Sequence, residues 1–359
     1  MKKLCFVALV VTCLTAKTYA AKFQTQTVYK GDDVVWGFDF LPNSNILITE
    51  KEGTLRLFDA KTKKAQLIEG VPKVADRGQG GLLDVLVDQN FQSNKTIYLT
   101  YSVPLEGGQT TRLVSASLNQ NKLSNIKVIF TALPATRKTQ HFGSRVVQDK
   151  DGTLFFTVGD RGERKLAQDK SKHRGKLYSV NKAGQVNMWS YGHRNAQGAD
   201  FHPSTGRLWI VEHGPRGGDE LNEIFKGKNY GWPVITYGKE YWGPSIGEGT
   251  EKEGMEQPAY HYTPSIAISG LMIYSGKMFP EWKNQFFIGA LKDTHISRLA
   301  VVNSKFVEQE KLFEDNDERI RQIKEFKDGS IYYSTDNGKI IRLLKKLEAK
   351  SSNKPKKSK

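Results

Sequence analysis

Asp151-Gly152-Thr153-Leu154-Phe155-Phe156-Thr157 is a glycine turn followed by a short apolar run that ends on a polar residue. The pattern returns along the chain. Ile46-Leu47-Ile48-Thr49, Ile97-Tyr98-Leu99-Thr100, Leu208-Trp209-Ile210-Val211, Phe286-Phe287-Ile288-Gly289 and Ile331-Tyr332-Tyr333-Ser334 are runs of the same kind. Their starts differ by 51, 57, 54, 78 and 45 residues. Thr205-Gly206 and Asp328-Gly329 place turns before two of them, as Asp151-Gly152 does here. Thr54–Phe58 and Lys339–Leu343 add strands with apolar/polar alternation. Sustained helical periodicity is nearly absent. A repeat near 50 residues, built from strands and glycine turns, is the signature of a β-propeller. The spacing predicts an all-β fold, a six-bladed β-propeller with four-stranded antiparallel blades. The 78-residue interval predicts an insertion, placed at Tyr237–Pro258.

The ends of the chain read differently from the body. Lys2 and Lys3 precede an apolar stretch, Leu4–Leu14, too short to span a bilayer, and Ala20 closes the segment. Residues 1–20 read as a signal peptide, and the localisation expected is periplasmic or secreted. Both cysteines, Cys5 and Cys13, fall inside it, so the remaining chain offers neither a disulfide framework nor a thiol nucleophile. Residues 21–346 form the propeller domain, and 347–359 read as a Lys-rich disordered tail. The net charge of +16 is concentrated at these ends and leaves about +7 for the body. A nucleic-acid partner is not expected, and neither is a transmembrane segment.

Loops at one face of a propeller converge on its axis, so the polar residues beside each run can meet. The fourth run opens into Glu212-His213-Gly214-Pro215-Arg216-Gly217-Gly218, followed by Asp219, Glu220 and Glu223. Two readings fit this loop: a solvated acidic surface, or a site whose carbonyls and carboxylates hold a hard cation such as Ca²⁺. Arg194, Lys292, Arg319 and Arg321 gathered on one axis would form a positive pocket suited to a ligand with several carboxylates. His141 is the candidate general base, against the alternative of a structural histidine. No zinc spacing, nucleophile elbow, P-loop or dinucleotide-binding glycine pattern follows a strand.

The motifs GQGGLLDV (78–85), HFGSR (141–145), WSYGHRNAQG (189–198), EHGPRGGDELN (212–222), GKNYGWP (227–233), FIGALKD (287–293) and RIR (319–321) together carry a resemblance. From Val35 to Leu344 the chain resembles the soluble quinoprotein aldose sugar dehydrogenases, relatives of soluble glucose dehydrogenase that use pyrroloquinoline quinone (PQQ). The resemblance implies oxidation of aldose sugars at C1 to lactones, with PQQ and Ca²⁺ as cofactors and an external electron acceptor. It implies that His141 is the base and that Gln79 and Tyr241 contact substrate. Arg194 and Asn195 would hold the quinone oxygens, Arg194 also polarising the reactive carbonyl. Lys292, Arg319 and Arg321 would grip the PQQ carboxylates, with Ala290 beside them. Gly214 and Pro215 would ligate the Ca²⁺ that meets PQQ, and Glu220 and Tyr230 a second, structural Ca²⁺. His193 stands where such proteins tend to have an apolar residue, and Ala196 where proline is usual. Two other classes stay open: a Ca²⁺-dependent propeller hydrolase or lactonase, and a non-catalytic carbohydrate-binding propeller.

Overall fold

The computed structural model describes residues 23–346. Residues 1–20, expected to be a signal peptide, and the Lys-rich segment 347–359 lie outside the described residues. Twenty-four strands form six antiparallel sheets of four. The innermost strands are Val35–Phe40, Leu82–Val87, Gly143–Gln148, Ala196–Phe201, Ile268–Ile273 and Ile320–Glu325. Each touches the next, and the sixth returns to the first, so the ring is closed.

The six repeating runs are the second strands of the six blades: Ile46–Glu50, Thr96–Leu105, Leu154–Val158, Leu208–Glu212, Phe286–Ala290 and Ile331–Thr335. Such a strand is paired on both edges and covered on both faces by neighbouring blades, so it reads as a continuous apolar run. Five of the six are buried at every position. The long interval is also accounted for. It falls between Asp219–Glu223 and Tyr260–Tyr262, the third and fourth strands of the fourth blade, where residues 224–259 rise over one face. The ring is sealed in the sixth blade, where Phe23–Lys30 pairs antiparallel with Lys339–Lys345.

Every innermost strand is irregular in its first residues against the second strand, at Val35/Gly37, Leu82/Val85, Gly143/Val146, Ala196/Gly198, Ile268/Leu271 and Ile320/Ile323. A bulge leaves a backbone group without its ladder partner. Threonine hydroxyls repair this in three successive blades and reach onward to the next. Thr49 accepts from the Gly37 amide (2.9 Å) and donates to the Leu83 carbonyl (2.6 Å). Thr100 accepts from Asp84 (3.0 Å) and donates to Ser144 (2.6 Å). Thr157 accepts from Arg145 (3.1 Å) and donates to Ala196 (2.9 Å). Farther along the same inner edges, Asp39 accepts from Val87 N, Asp84 from Val146 N, Asp200 from Ile273 N and Gln322 from Phe38 N.

Thr100→Val keeps shape but orphans a buried donor and a buried acceptor. Its cost is expected at about 2–6 kcal/mol, since each of the two unsatisfied groups costs about 1–3 kcal/mol. Urea denaturation of the variant and the parent measures it, and a change below about 0.5 kcal/mol would refute the role given to the hydroxyl.

Candidate active site

The loops at one end of the axis enclose a cavity of ≈ 730 Å³. Gln79, His141, Arg194, Asn195, Gly214, Pro215, Tyr241, Lys292, Arg319 and Arg321 all line it. Seven separate stretches of sequence are therefore brought to one place by blade geometry. Ala290 is not among the lining residues. It is fully buried within its strand, and Ala267 and Leu291 form the wall there.

His141 stands where the connection from the second blade enters the third. Its backbone is left-handed (φ 57°), uncommon for a residue with a side chain. Its amide donates to Gln79 Oε1 (2.7 Å). Its Nδ1 meets Asp160 Oδ1 at 2.7 Å, and Asp160 in turn accepts from Trp232 Nε1 (2.8 Å) and the Gly162 amide (2.7 Å). Asp160 has no exposed surface. Burial alone would raise its carboxyl, but the hydrogen bond and charge of His141, with Arg194 and the Gly162 amide, hold it below the usual range. A carboxylate on Nδ1 leaves Nε2 as the acceptor nitrogen of neutral imidazole. Burial lowers the His141 pKa below its ordinary value, Arg194 pushes the same way, and Asp160 opposes. The ring is thus neutral and basic at neutral pH.

Arg194 is fixed from both ends. Its amide donates to Glu212 Oε2 (2.7 Å), its carbonyl accepts from Asp160 N (2.8 Å), and Nη1 donates to the His213 carbonyl (3.0 Å). Its Nε is buried without a partner. Asn195 spends its side-chain oxygen on the Gly143 amide (3.1 Å), which leaves its NH₂ as a donor. Arg319 and Arg321 share Asp336, with Nε–O distances of 2.7 and 2.9 Å. One carboxylate thus offsets two guanidiniums. Lys292, mostly exposed, stands at the rim with Nζ 3.3 Å from Asp293. The floor is closed by Arg145, which donates to Asp84 (2.7 Å) and the Gln197 carbonyl (2.8 Å) and lies 4.5 Å over the Trp36 ring.

The loop 213–218 is shaped by Asp219, which accepts from Gly214 N, Ser265 Oγ and Ala267 N. A Cβ at Gly214 would come within 2.3 Å of the Gly217 and Gly218 carbonyl oxygens, so only glycine fits. Among the described residues no group of three or more His, Cys, Asp or Glu is arranged to hold a metal. A cation here would rest on main-chain oxygens and on the bound ligand's own, which is how a carbonyl loop binds a hard ion. Glu220 and Tyr230 adjoin a separate small cavity behind this wall, with Glu212, Gly218 and Thr236. The Tyr230 hydroxyl is committed elsewhere, donating to the Glu223 carbonyl (2.6 Å) and accepting from Phe225 N (2.9 Å). Burial, then the neighbouring charge of Glu212, pushes Glu220 up to about 8.

The sequence reading missed Asp160, Trp232 and Asp336. Asp160 and Asp336 both follow closely on a second strand, as Glu212 ends one, so the position itself was a usable signal. Trp232 lies inside a quoted motif, with nothing to mark its indole as a donor.

Residues 32–342 match the family model described as "Glucose / Sorbosone dehydrogenase". The chain belongs to this family. It is 36% identical over 355 residues to the aldose sugar dehydrogenase YliI of Escherichia coli, covering 92% of this chain and 96% of that one. The solved apo-form of the soluble aldose sugar dehydrogenase from Escherichia coli superposes with a TM-score of 0.87 at 35% identity, over 90% of this chain and all of that one. The PQQ-bound aldose sugar dehydrogenase of Streptomyces coelicolor shares the fold at 24% identity, with a TM-score of 0.76, over 90% of this chain and 98% of that one.

Glu220 gives a signed prediction. Its folded pKa of about 8 lies above its ordinary 4.5, so between these values the folded chain keeps a proton that the unfolded chain has lost. The stability from this group is full below pH 4.5 and is lost as pH rises toward 8. In chelator-treated buffer the Tm is expected to fall over that window, and Glu220→Gln to flatten the slope. A slope unchanged in the variant would refute the assignment.

Proposed function

We propose that the protein oxidises aldose sugars at C1 to lactones, with PQQ and Ca²⁺ bound in the axial cavity and an external carrier accepting the electrons. The observation that supports this most is the pairing of a neutral, Asp160-held imidazole with four basic side chains around one cavity. PQQ is a tricarboxylate, and the donor set suits it. Arg319 and Arg321 keep guanidinium donors beyond those on Asp336, Lys292 stands at the rim, and Arg194 has an unused buried Nε. The Gly214–Pro215 loop, open to the same cavity, is suited to share a Ca²⁺ with such a ligand. A hydrolase or lactonase would use a metal ringed by carboxylates, a cluster not found among the described residues. A purely binding propeller would have no need of the His141–Asp160 pair.

When bound, PQQ supplies the hydride acceptor, and Ca²⁺ the Lewis acidity that polarises it. The chain does the rest. Gln79 fixes the His141 backbone and, with Tyr241, offers hydrogen bonds to a sugar ring. His141 Nε2 takes the proton of the anomeric hydroxyl, and Asp160 stabilises the imidazolium that forms. Trp232 keeps Asp160 aimed at the ring. Arg194 and the Asn195 amide place fixed positive charge and a donor where negative charge gathers on the acceptor side. Arg319, Arg321 and Lys292 would hold the carboxylates of such a ligand and fix its orientation in the cavity.

The deciding experiment is dye-linked aldose oxidation by purified protein with and without PQQ and Ca²⁺. Activity is expected only with both, and PQQ binding should appear as a spectral change. Oxidation without PQQ, or no PQQ binding at all, would overturn the reading. His141→Gln should retain PQQ binding while turnover falls by about 10²–10⁴-fold, the usual weight of a general base.

The pH profile follows from the lowered His141 pKa. The base works when neutral, so kcat/KM should rise through one ionisation below 6.5 and then level. Asp160→Asn removes the anionic partner. It should slow turnover and shift that limb further down. A profile identical to the parent's would show that Asp160 does not act through the imidazole.

A further inference from the structure

Tyr241 and Trp242 stand side by side on the insertion, with 65% and 76% of their surface exposed. Tyr241 also lines the cavity. Adjacent exposed aromatics at a cavity mouth mark a contact surface rather than an idle one.

A strip of linked loops leads away from this pair. Glu240, beside Tyr241, is gripped by Arg164 of the loop after Asp160. That loop is tied to residues 136–140 by Lys138 Nζ donating to the Gly162 carbonyl (2.7 Å) and Arg161 Nη2 donating to the Lys138 carbonyl (2.7 Å). Residues 136–140 are tied to 75–80 by the Gln79 amide donating to the Thr139 carbonyl (2.8 Å). Along the strip Arg77, Arg137, Lys138 and Lys165 are exposed. None of the four forms an ion pair with another described residue. The acids of the strip are engaged: Asp76 with Lys51, Glu163 with Arg174 and Glu240 with Arg164. Glu106 is exposed on the tip of the hairpin between Thr96–Leu105 and Gly108–Asn119. The insertion farther along carries exposed Glu251 and Glu253. The mouth therefore has a cationic side with the two aromatics at its end. Such a cationic strip attracts a partner of opposite charge.

We propose that this strip, Arg77, Arg137, Lys138 and Lys165 with Trp242 at its end, is the docking surface for an acidic electron-transfer protein, on the functional reading given above. Oxidation of one aldose to its lactone releases two electrons and two protons. The protons pass to solvent, the first through His141. The electrons leave one at a time, so a one-electron carrier docks twice per turnover. Steering by surface charge gives the fast, salt-sensitive encounters that repeated docking requires.

The test uses cytochrome c and its succinylated form, which carry the same haem with basic and acidic surfaces. Binding to the purified chain, with and without PQQ and Ca²⁺, is measured by surface plasmon resonance across an ionic-strength series. The succinylated form is expected to bind about tenfold tighter than the native form at low salt and to lose that advantage as salt rises. Arg77→Glu/Arg137→Glu/Lys165→Glu should weaken it by about tenfold, and Trp242→Ala by several-fold. Equal binding of the two forms, or unchanged binding in both variants, would overturn the proposal. So would capture of heparin through the same residues when succinylated cytochrome c is not bound, which would reassign the strip to an acidic glycan. Aldose oxidation with a small uncharged dye should proceed in these variants at the parent's rate. If the parent itself lacks that activity, the functional reading fails, while the binding series still decides whether this face docks an acidic protein.

Discussion

The molecule rests on the treatment of one exposed edge. In a closed ring of sheets, each innermost strand has a partner on one side and the axis on the other. Its axial N–H and C=O groups face neither another strand of the blade nor bulk water, and an unpaired buried group costs about 1–3 kcal/mol. The chain answers with side chains. Thr49, Thr100 and Thr157 each serve a bulge in one blade and a carbonyl in the next. Asp39, Asp84, Asp200 and Gln322 do the same for amides farther along. Each bond crosses a blade boundary, so the groups that satisfy the edge also fix the rotation of one blade against the next.

This explains how the candidate site can be assembled from such distant sequence. His141, Arg194 and Arg321 lie on three blades, yet the axial bonds hold those blades in register. The site adds its own ties: Asn195 to the Gly143 amide, Arg321 to Gln197 (3.3 Å) and Arg194 to the His213 carbonyl. The left-handed backbone at His141 is the visible strain of this assembly. Strain of that kind persists where the surroundings over-determine a conformation, and here the Gln79 and Asp160 bonds do so.

The fold was legible because of where the second strands lie. Covered on both faces, Leu154–Val158 or Phe286–Ala290 must be apolar throughout, and such runs stand out at a regular period. The innermost strands were harder to read, because their bulges break the alternation and axial duties bring Asp39, Asp84 and Arg145 into them. The outer strands carry almost no signal; Ala65–Leu67 is exposed at every position. The cations of the site could be read from their placement beside the runs and from motif resemblance. For their partners position alone was a signal, Asp160 and Asp336 each following a second strand, but their roles were not legible, being defined by what stands opposite in space. Ala290 shows the converse. Its motif carried it into the expected site, whereas its backbone position inside a strand keeps its side chain from the cavity.

The Arg145 floor has a kinetic meaning. With its guanidinium held by Asp84, the Gln197 carbonyl and the Trp36 ring, the axis is plugged beneath the cavity. On the proposed reaction, sugar, lactone and electron carrier would then share a single entrance. A reaction of two halves through one doorway runs by turns: the first product departs before the second substrate engages, and an excess of sugar obstructs the carrier. On the proposed reaction the plug would favour a double-displacement order and inhibition by excess sugar, both through a side chain that does not line the cavity.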